Sequence, residues 1–332
     1  MSGPGVGFEY PRRAVTWTKR DVLLFANSIG CQADELHFLY ELHPDFAVFP
    51  TYTNILPFKL ANTDVIDFYQ SQKSIPIPGV PKFDPQRVVD GERKIIFLKQ
   101  LPTSSEGRQY EVRTKVIGVY DKGKASVVET ETSIVDKETD EVYSSMIGSA
   151  FFVGQGGWGG PKEWDAMFMQ DCIGPSAVNY PTPKGKSPDA IFVDQTSLQT
   201  AHLYRYLIMA MIASLNGDYN PLHATPEPGQ RMGFGGVIIH GLYSWNTTAH
   251  GVLRAFGGSN PKNMREFQAR FASPVRPGDK LTTEIWRTGE TVDRDGFEEL
   301  RFVTKNQDGK TVLSNGRALI KVVNKSTDSY GY

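Results

Sequence analysis

Cysteine is nearly missing from this chain. Cys31 and Cys172 are the only two in 332 residues. They are too few for a disulfide framework and lack the C-x-x-C spacing of a redox or zinc site, so a reducing compartment fits. Long apolar runs are missing as well. The longest, Leu207–Ala213, falls far short of the ~18 residues that cross a bilayer, and no membrane partner is expected. Nor does one sign of charge dominate: Lys plus Arg is 36 and Asp plus Glu is 37, a formal net charge of −1. That balance leaves no footprint for a polyanion, so nucleic acid is not an expected partner. What is present is 39% hydrophobic residues, enough to exclude wholesale disorder. At ~150 residues per domain the length implies about two domains or one large one, with a sizeable core.

The first residues, MSGPGVGFEYPRR, contain no apolar stretch of the kind a secretory signal needs. The last residues, DSYGY, differ from an SKL-type peroxisomal address. The expectation is an intracellular protein, cytoplasmic rather than peroxisomal.

Hydrophobic patterning divides the chain into two halves with one plan. The first opens at Thr18, an N-cap candidate, with a helix-spaced apolar run closed by Gly30. A second short helix is predicted over 33–42, then a Pro-rich loop over 75–85. Four strand-like stretches follow: RKIIFLKQL, YEVRTKVIGVYDKG, KASVVETETSIVD and VYSSMIGSAFFVG. The second half repeats this order. A helical pattern runs from Thr196 to near Gly217, a helix start falls at Pro221, and a further helix spans His240–Phe256. The strands are then REFQARFASPV, KLTTEIWRTGETV, FEELRFVTKNQ and TVLSNGRALIKVV. The expected class is α+β, a helix packed across an antiparallel sheet in each half. The predicted units are 1–160 and 189–332, joined by a linker over 161–188.

Gly154-x-Gly156-x-x-Gly159 matches the dinucleotide fingerprint literally. It is followed by Gly160-Pro161 and lies among antiparallel-type strands, whereas the fingerprint needs a parallel strand–turn–helix unit. It reads as a glycine-rich exit from a strand. There is no G-x-S-x-G elbow, no Walker A motif and no metal-ligand spacing, so neither cofactor nor metal is expected.

Two stretches can carry chemistry. In Asn216-Gly-Asp218-Tyr-Asn220-Pro221-Leu-His223, Pro221 favours a first helical turn and Asn220 suits its N-cap. Asp218 would lie in the loop before that turn and His223 within it. A carboxylate and an imidazole so placed can hold a water and move its proton. The same residues would also serve simply to cap and turn the chain. In Gly235-Gly236-Val-Ile-Ile-His240-Gly241-Leu, Gly236 lets a ligand approach the backbone. A helix starting near His240 would present the Gly241 N–H to a developing oxyanion. His240 alone reads more readily as a core histidine. His37, His43, His202 and His250 read as structural or surface residues.

GDYNPLH and IIHGL resemble the hydratase 2 motif and its following segment in MaoC-like (R)-specific 2-enoyl-CoA hydratases, of the eukaryotic peroxisomal hydratase 2 type. WTKRDVLLFANSIG, LHPDFAVFPTY, FLKQLP, FFVGQGGWGG, PDAIFVDQTSL and FASPVRPGDKL resemble further stretches, so the likeness covers roughly residues 15–323. The resemblance implies a double hot-dog fold and reversible addition of water to a trans-2-enoyl thioester, giving a (3R)-hydroxyacyl thioester. It places Asp218 and His223 as the catalytic pair, Asn220 as their support and the Gly241 N–H as donor to the thioester oxygen. The N-terminal half would supply the acyl tunnel. The implied partner is an acyl thioester of the CoA type, and a homodimer is left open. Lys262, Arg265, Arg270 and Arg276 are candidates for the CoA phosphates by position alone.

The chain also departs from that family. Asn216 stands where a Ser is usual, and eleven residues, Tyr206–Asn216, separate Arg205 from Gly217. Asp90-Gly91-Glu92 replaces His-Gly-Glu. Tyr243 and Trp245 stand where smaller residues are expected, which assigns them to a reshaped acyl pocket. These departures favour a dehydratase for a specialised acyl or polyketide-type intermediate of secondary metabolism, while the resemblance itself favours the general hydratase. A non-catalytic thioester-binding protein is the third alternative.

Overall fold

The computed structural model describes residues 3–62, 75–162, 178–196, 219–292 and 294–323. Residues 197–217 of the predicted helix, the linker core over 163–177, Cys172 and Asp218 lie outside these; Thr196, its expected first residue, follows β6 and is in no helix.

In the first half a short strand β1 (Arg13–Val15) leads into helix α1 (Lys19–Ser28). The start of α1 is a capping box. The Thr18 N–H donates to the Asp21 carboxylate at 2.8 Å, and the Asp21 N–H donates to Thr18 Oγ1 at 3.3 Å, so two orphan donors are satisfied reciprocally. Gly30 sits just beyond, at φ +83°, a conformation that favours glycine. The helix predicted over 33–42 is only the four-residue α2 (Leu36–Leu39). A 3₁₀ turn over Pro50–Asn54 and the short helix α3 (Leu56–Lys59) follow. Four long strands come next: β2 (Val88–Phe97), β3 (Tyr110–Asp121), β4 (Ala125–Asp136) and β5 (Val142–Val153).

The second half runs β6 (Ala190–Gln195), a 3₁₀ turn over Pro221–His223, α4 (Pro226–Arg231) and α5 (Gly241–Phe256). It ends with β7 (Met264–Phe271), β8 (Lys280–Thr291), β9 (Glu298–Lys305) and β10 (Thr311–Ile320). The short edge strands β1 and β6 were not foreseen. Three residues carry too little pattern to read, and β6 exposes Ile191 and Val193.

The ten strands of the described residues form one antiparallel sheet in the order β1-β3-β4-β5-β2-β7-β10-β9-β8-β6. Read inward from its edge, each half has the same order: first strand, third, fourth, fifth, second. The halves meet edge to edge where β2 pairs with β7, Arg93 opposite Ala269 and Ile95 opposite Phe267. This internal duplication is the two-half plan of the sequence.

Helix α5 packs against β6, β7, β8 and β10 of the second half and is buried almost all round, as a helix covered by a sheet must be. Trp245, fully buried, meets the Phe267 ring edge-on at 4.6 Å. Phe267 stacks on Phe302 at 4.9 Å. One apolar core runs from Trp17 and Phe25 through these rings, and each large side chain so buried contributes about 1.5–3 kcal/mol. A second cluster lies beneath the Pro-rich loop, where Ile77 and Phe83 pack on Val116, Val119 and Val128.

Between the halves, Glu35 is 2% exposed and accepts from His250 Nε2 at 2.8 Å and Ser259 Oγ at 2.5 Å. Burial alone would push its carboxyl up. The hydrogen bonds from His250 and Ser259, with the Gln32 N–H, hold it down to about 2.

The glycine-rich segment after β5 continues into no helix over residues 154–162. Its Gly157 and Gly159 N–H groups donate to the Asp121 carboxylate at 2.7 and 2.8 Å. With the Gly123 N–H they hold that carboxyl down to about 2. The segment serves this turn and lies in no dinucleotide-binding unit. No helix among the described residues is long and apolar enough to cross a membrane.

Candidate active site

The site is built where the Pro221 turn approaches the N-terminus of α5. Asn220 is extended, and its Oδ1 accepts the Leu222 N–H at 3.0 Å. It therefore caps the turn, as Asn before Pro is suited to do. The turn swings His223 toward the strand-like segment before α5, where its Nδ1 lies 3.0 Å from the Ile238 carbonyl oxygen. A carbonyl only accepts, so Nδ1 carries a proton, and in the neutral ring Nε2 keeps the lone pair. His240, the residue before α5, stacks on His223 with ring centroids 3.7 Å apart. A proton on both rings at once would bring two cations into contact, so the stack favours at most one.

Gly241 is the first residue of α5, where backbone N–H groups have no partner within the helix. A Cβ at Gly241 would lie 3.0 Å from the Phe271 ring. Only glycine lets that ring and the backbone meet undisturbed.

Asn220, His223, His240 and Gly241 all line one cavity of about 730 Å³, together with Tyr219. Its walls are largely apolar and come from both halves. Phe58, Val88 and Ala150 lie on one side; Ile238, Leu242 and Phe271 lie on the other. Five polar residues of the first half also reach it: Arg13, Asp90, Arg93, Thr114 and Thr132. The sequence reading missed all five as site residues. The only signal was Asp90 in a place where His was expected.

The structure thus brings together Asn220, His223 and Gly241; Asp218 lies outside the described residues. It does not bring in the three residues assigned to substrate binding. Trp245 is in the core, facing Phe267. Tyr243 turns its hydroxyl to the Asp194 carboxylate at 2.9 Å. Gly236 packs its carbonyl where a Cβ of Gly229 would stand, 1.8 Å away. On α5, position 243 lies opposite Gly241, whereas Trp245, one turn on from Gly241, is enclosed in the core; Leu242 and Ser244 line the cavity. Bulk at 243 and 245 therefore reshapes packing, not the cavity wall.

Of the four cations considered for phosphates, Arg270 pairs with Glu92 at 3.0 Å and Arg265 with Asp295 at 2.9 Å. Lys262 and Arg265 line a separate cavity of about 420 Å³. Arg276 reaches the carbonyl of cavity-lining Phe234 at 3.5 Å. Among the described residues, one trio of potential metal-ligand atoms lies within 4.8 Å: Cys31, Glu35 and His250. Glu35 there already accepts from His250, Ser259 and Arg254, and burial pushes the Cys31 thiol up. Those are the features of a closed ion-pair cluster.

Two sequence families match in succession, the MFE-2 hydratase 2 N-terminal domain over residues 15–154 and the MaoC like domain over residues 197–310. A probable dehydratase, NIT22, of Ajellomyces capsulatus is 47% identical over 95% of this chain and 81% of its own length. A probable enoyl-CoA hydratase 2 of Dictyostelium discoideum is 32% identical over 93% of both chains. The crystal structure of a MaoC-like dehydratase from Phytophthora capsici superposes with a TM-score of 0.77 at 28% identity, over 95% of each chain. The architecture is the double hot-dog.

Proposed function

The chain belongs to the MaoC-like hydratase 2 family of hydro-lyases, and from that premise we propose that it adds water across trans-2-enoyl thioesters of the CoA type. The product is a (3R)-hydroxyacyl thioester, and the same site runs the reverse dehydration. The supporting observation is His223, pinned through Nδ1 to Ile238 at 3.0 Å, with its ring in the cavity that begins at the N-terminus of α5.

In this proposal Asp218 and His223 Nε2 hold the water. Its oxygen bonds to C3 of the substrate, and a proton is delivered to C2 through the same pair. The Gly241 N–H donates to the thioester oxygen, where enolate-like charge develops, and so binds the transition state more tightly than the substrate. Asn220 positions the turn that carries His223. Residues 1–160 and 189–332, joined by 161–188, are the two units. The second supplies the chemistry and the first most of the acyl site. The polar residues that the first half sends into the cavity favour, within this chemistry, a specialised acyl group over a plain fatty acyl chain.

Purified protein mixed with crotonyl-CoA and with a longer trans-2-enoyl-CoA should consume the enoyl absorbance and give product of (3R) configuration. A (3S) product, or no turnover of either by folded protein, would contradict the assignment.

A further inference from the structure

Resting on the hydratase assignment above, we propose that the acyl group accepted here carries a neutral oxygen acceptor partway along its chain, hydrogen-bonded by Arg93. A keto, hydroxyl or amide oxygen would meet this description.

Arg93 is 8% exposed, yet it lines the same cavity as His223 and Gly241. Its guanidinium is only partly satisfied. Nη1 donates to Asn54 Oδ1 at 2.7 Å and approaches Met146 Sδ at 3.4 Å. Nη2 donates to Asp90 at 3.0 Å. Nε, fully buried, has no partner among the described residues. A buried donor without a partner is unfavourable, and a buried cation in an apolar wall is rarer still without a role. Phe58, whose ring lies 5.5 Å below the guanidinium carbon, fixes the plane of the group.

The surroundings point to an oxygen without charge. Asp90 already neutralises Arg93 and lines the cavity beside it. A substrate carboxylate there would face a like charge. Of the remaining polar residues of this wall, Thr114 and Thr132 hydrogen-bond to each other at 3.2 Å and add hydroxyls, and the one further charge, Arg13, lies on the edge strand β1, four strands from the β2 that carries Arg93. The spacing suits a chain of medium length. Arg93 is the register partner of Ala269. Phe271, two residues further and ~7 Å along the strand, is the ring against Gly241. In this proposal a thioester held at Gly241 extends its chain toward Arg93 across an apolar stretch.

The test compares the wild-type protein on crotonyl-CoA, trans-2-octenoyl-CoA, its keto and hydroxyl derivatives at the penultimate carbon, and the chain ending in a carboxylate. The oxygenated neutral chains should exceed the hydrocarbon by about tenfold or more in kcat/KM, since a site built to pair an oxygen discriminates against the chain that lacks it. The carboxylate should gain nothing. In Arg93→Met the tenfold ratio should collapse toward one. Should that variant fail to fold, Arg93→Lys keeps the cation without the planar fork of donors and should lower the ratio likewise. Hydration of crotonyl-CoA with no preference for oxygenated chains would overturn the inference and leave the hydratase assignment standing. A preference that survives in a folded Arg93 variant, or a carboxylate preferred over the neutral chains, would overturn it equally. No turnover of any substrate would remove the assignment and the inference together.

Discussion

The two halves share one strand order, yet they bring different chemistry to the cavity between them. The second half contributes a capped turn, a histidine whose tautomer is set by a carbonyl, and a helix N-terminus that begins with glycine. The first half contributes apolar walls, a hydroxyl pair and the Asp90–Arg93 pair. Duplication thus yields one scaffold twice, and function separates through the residues each copy turns inward. In the proposed mechanism one copy holds the reacting atoms, and the other meets the remainder of the substrate and decides which chains bind.

That division can be broken most forcefully in the second half. Asp218→Asn and His223→Ala should each lower kcat by roughly 10²–10⁴, the usual worth of a positioned acid–base group, with melting temperature nearly unchanged. Turnover within about threefold of wild type would remove the residue concerned from the chemistry. Trp245→Ala distinguishes core from pocket. Loss of so large a buried ring should cost about 3–5 kcal/mol in urea unfolding. A stable variant with altered chain-length preference would return Trp245 to the acyl site.

The join between the halves should be sensitive to acid. Glu35 is held at about 2 in the folded protein, below the ~4.3 of an unfolded glutamate. Its stabilisation is fully present above the unfolded value and is lost as pH falls toward 2, amounting to about 3 kcal/mol at most. Chemical denaturation across pH 5 to 2 should show this slope, and Glu35→Gln should flatten it. An unchanged slope would show that other carboxylates govern acid unfolding.

Gly241→Ala sharpens the comparison on the catalytic side. The N–H survives, but the new Cβ meets the Phe271 ring at 3.0 Å. A loss in kcat of about tenfold is expected, smaller than deletion of an oxyanion donor, with partial rescue by Phe271→Leu. Failure of rescue would locate the defect elsewhere. The smallest effect is expected from Thr132→Val in the first half. It should leave crotonyl-CoA turnover within a few-fold and stability within about 1 kcal/mol.

Much of this was legible in the sequence, for identifiable reasons. The Thr18–Asp21 capping box and Gly30 bound α1 through local hydrogen bonds and a local backbone preference. The four long strands of each half carry enough alternation to be read singly. Asn220-Pro221 specifies its own turn, so His223 could be placed before any tertiary contact was known. Rejection of the Gly154–Gly159 fingerprint also followed from its neighbours. The rest depends on contacts distant in sequence. Glu35 meets His250 across 215 residues, and Arg93 meets Asn54 and faces Ala269. Tyr243 and Trp245 were misplaced because nearness in sequence to Gly241 was taken for nearness to the cavity. The turn of the helix carries Tyr243 away from it, and Trp245, a full turn beyond Gly241, is enclosed against Phe267 in the core.

The central claim is that chemistry and chain selection reside in different halves. Its most direct test measures kcat/KM for wild type, His223→Ala and Arg93→Met on two substrates, trans-2-octenoyl-CoA and its keto derivative. The account predicts that His223→Ala lowers both values by a common factor and preserves their ratio, whereas Arg93→Met chiefly changes the ratio. A shifted ratio in His223→Ala, or an equal loss on both substrates in Arg93→Met, would contradict it.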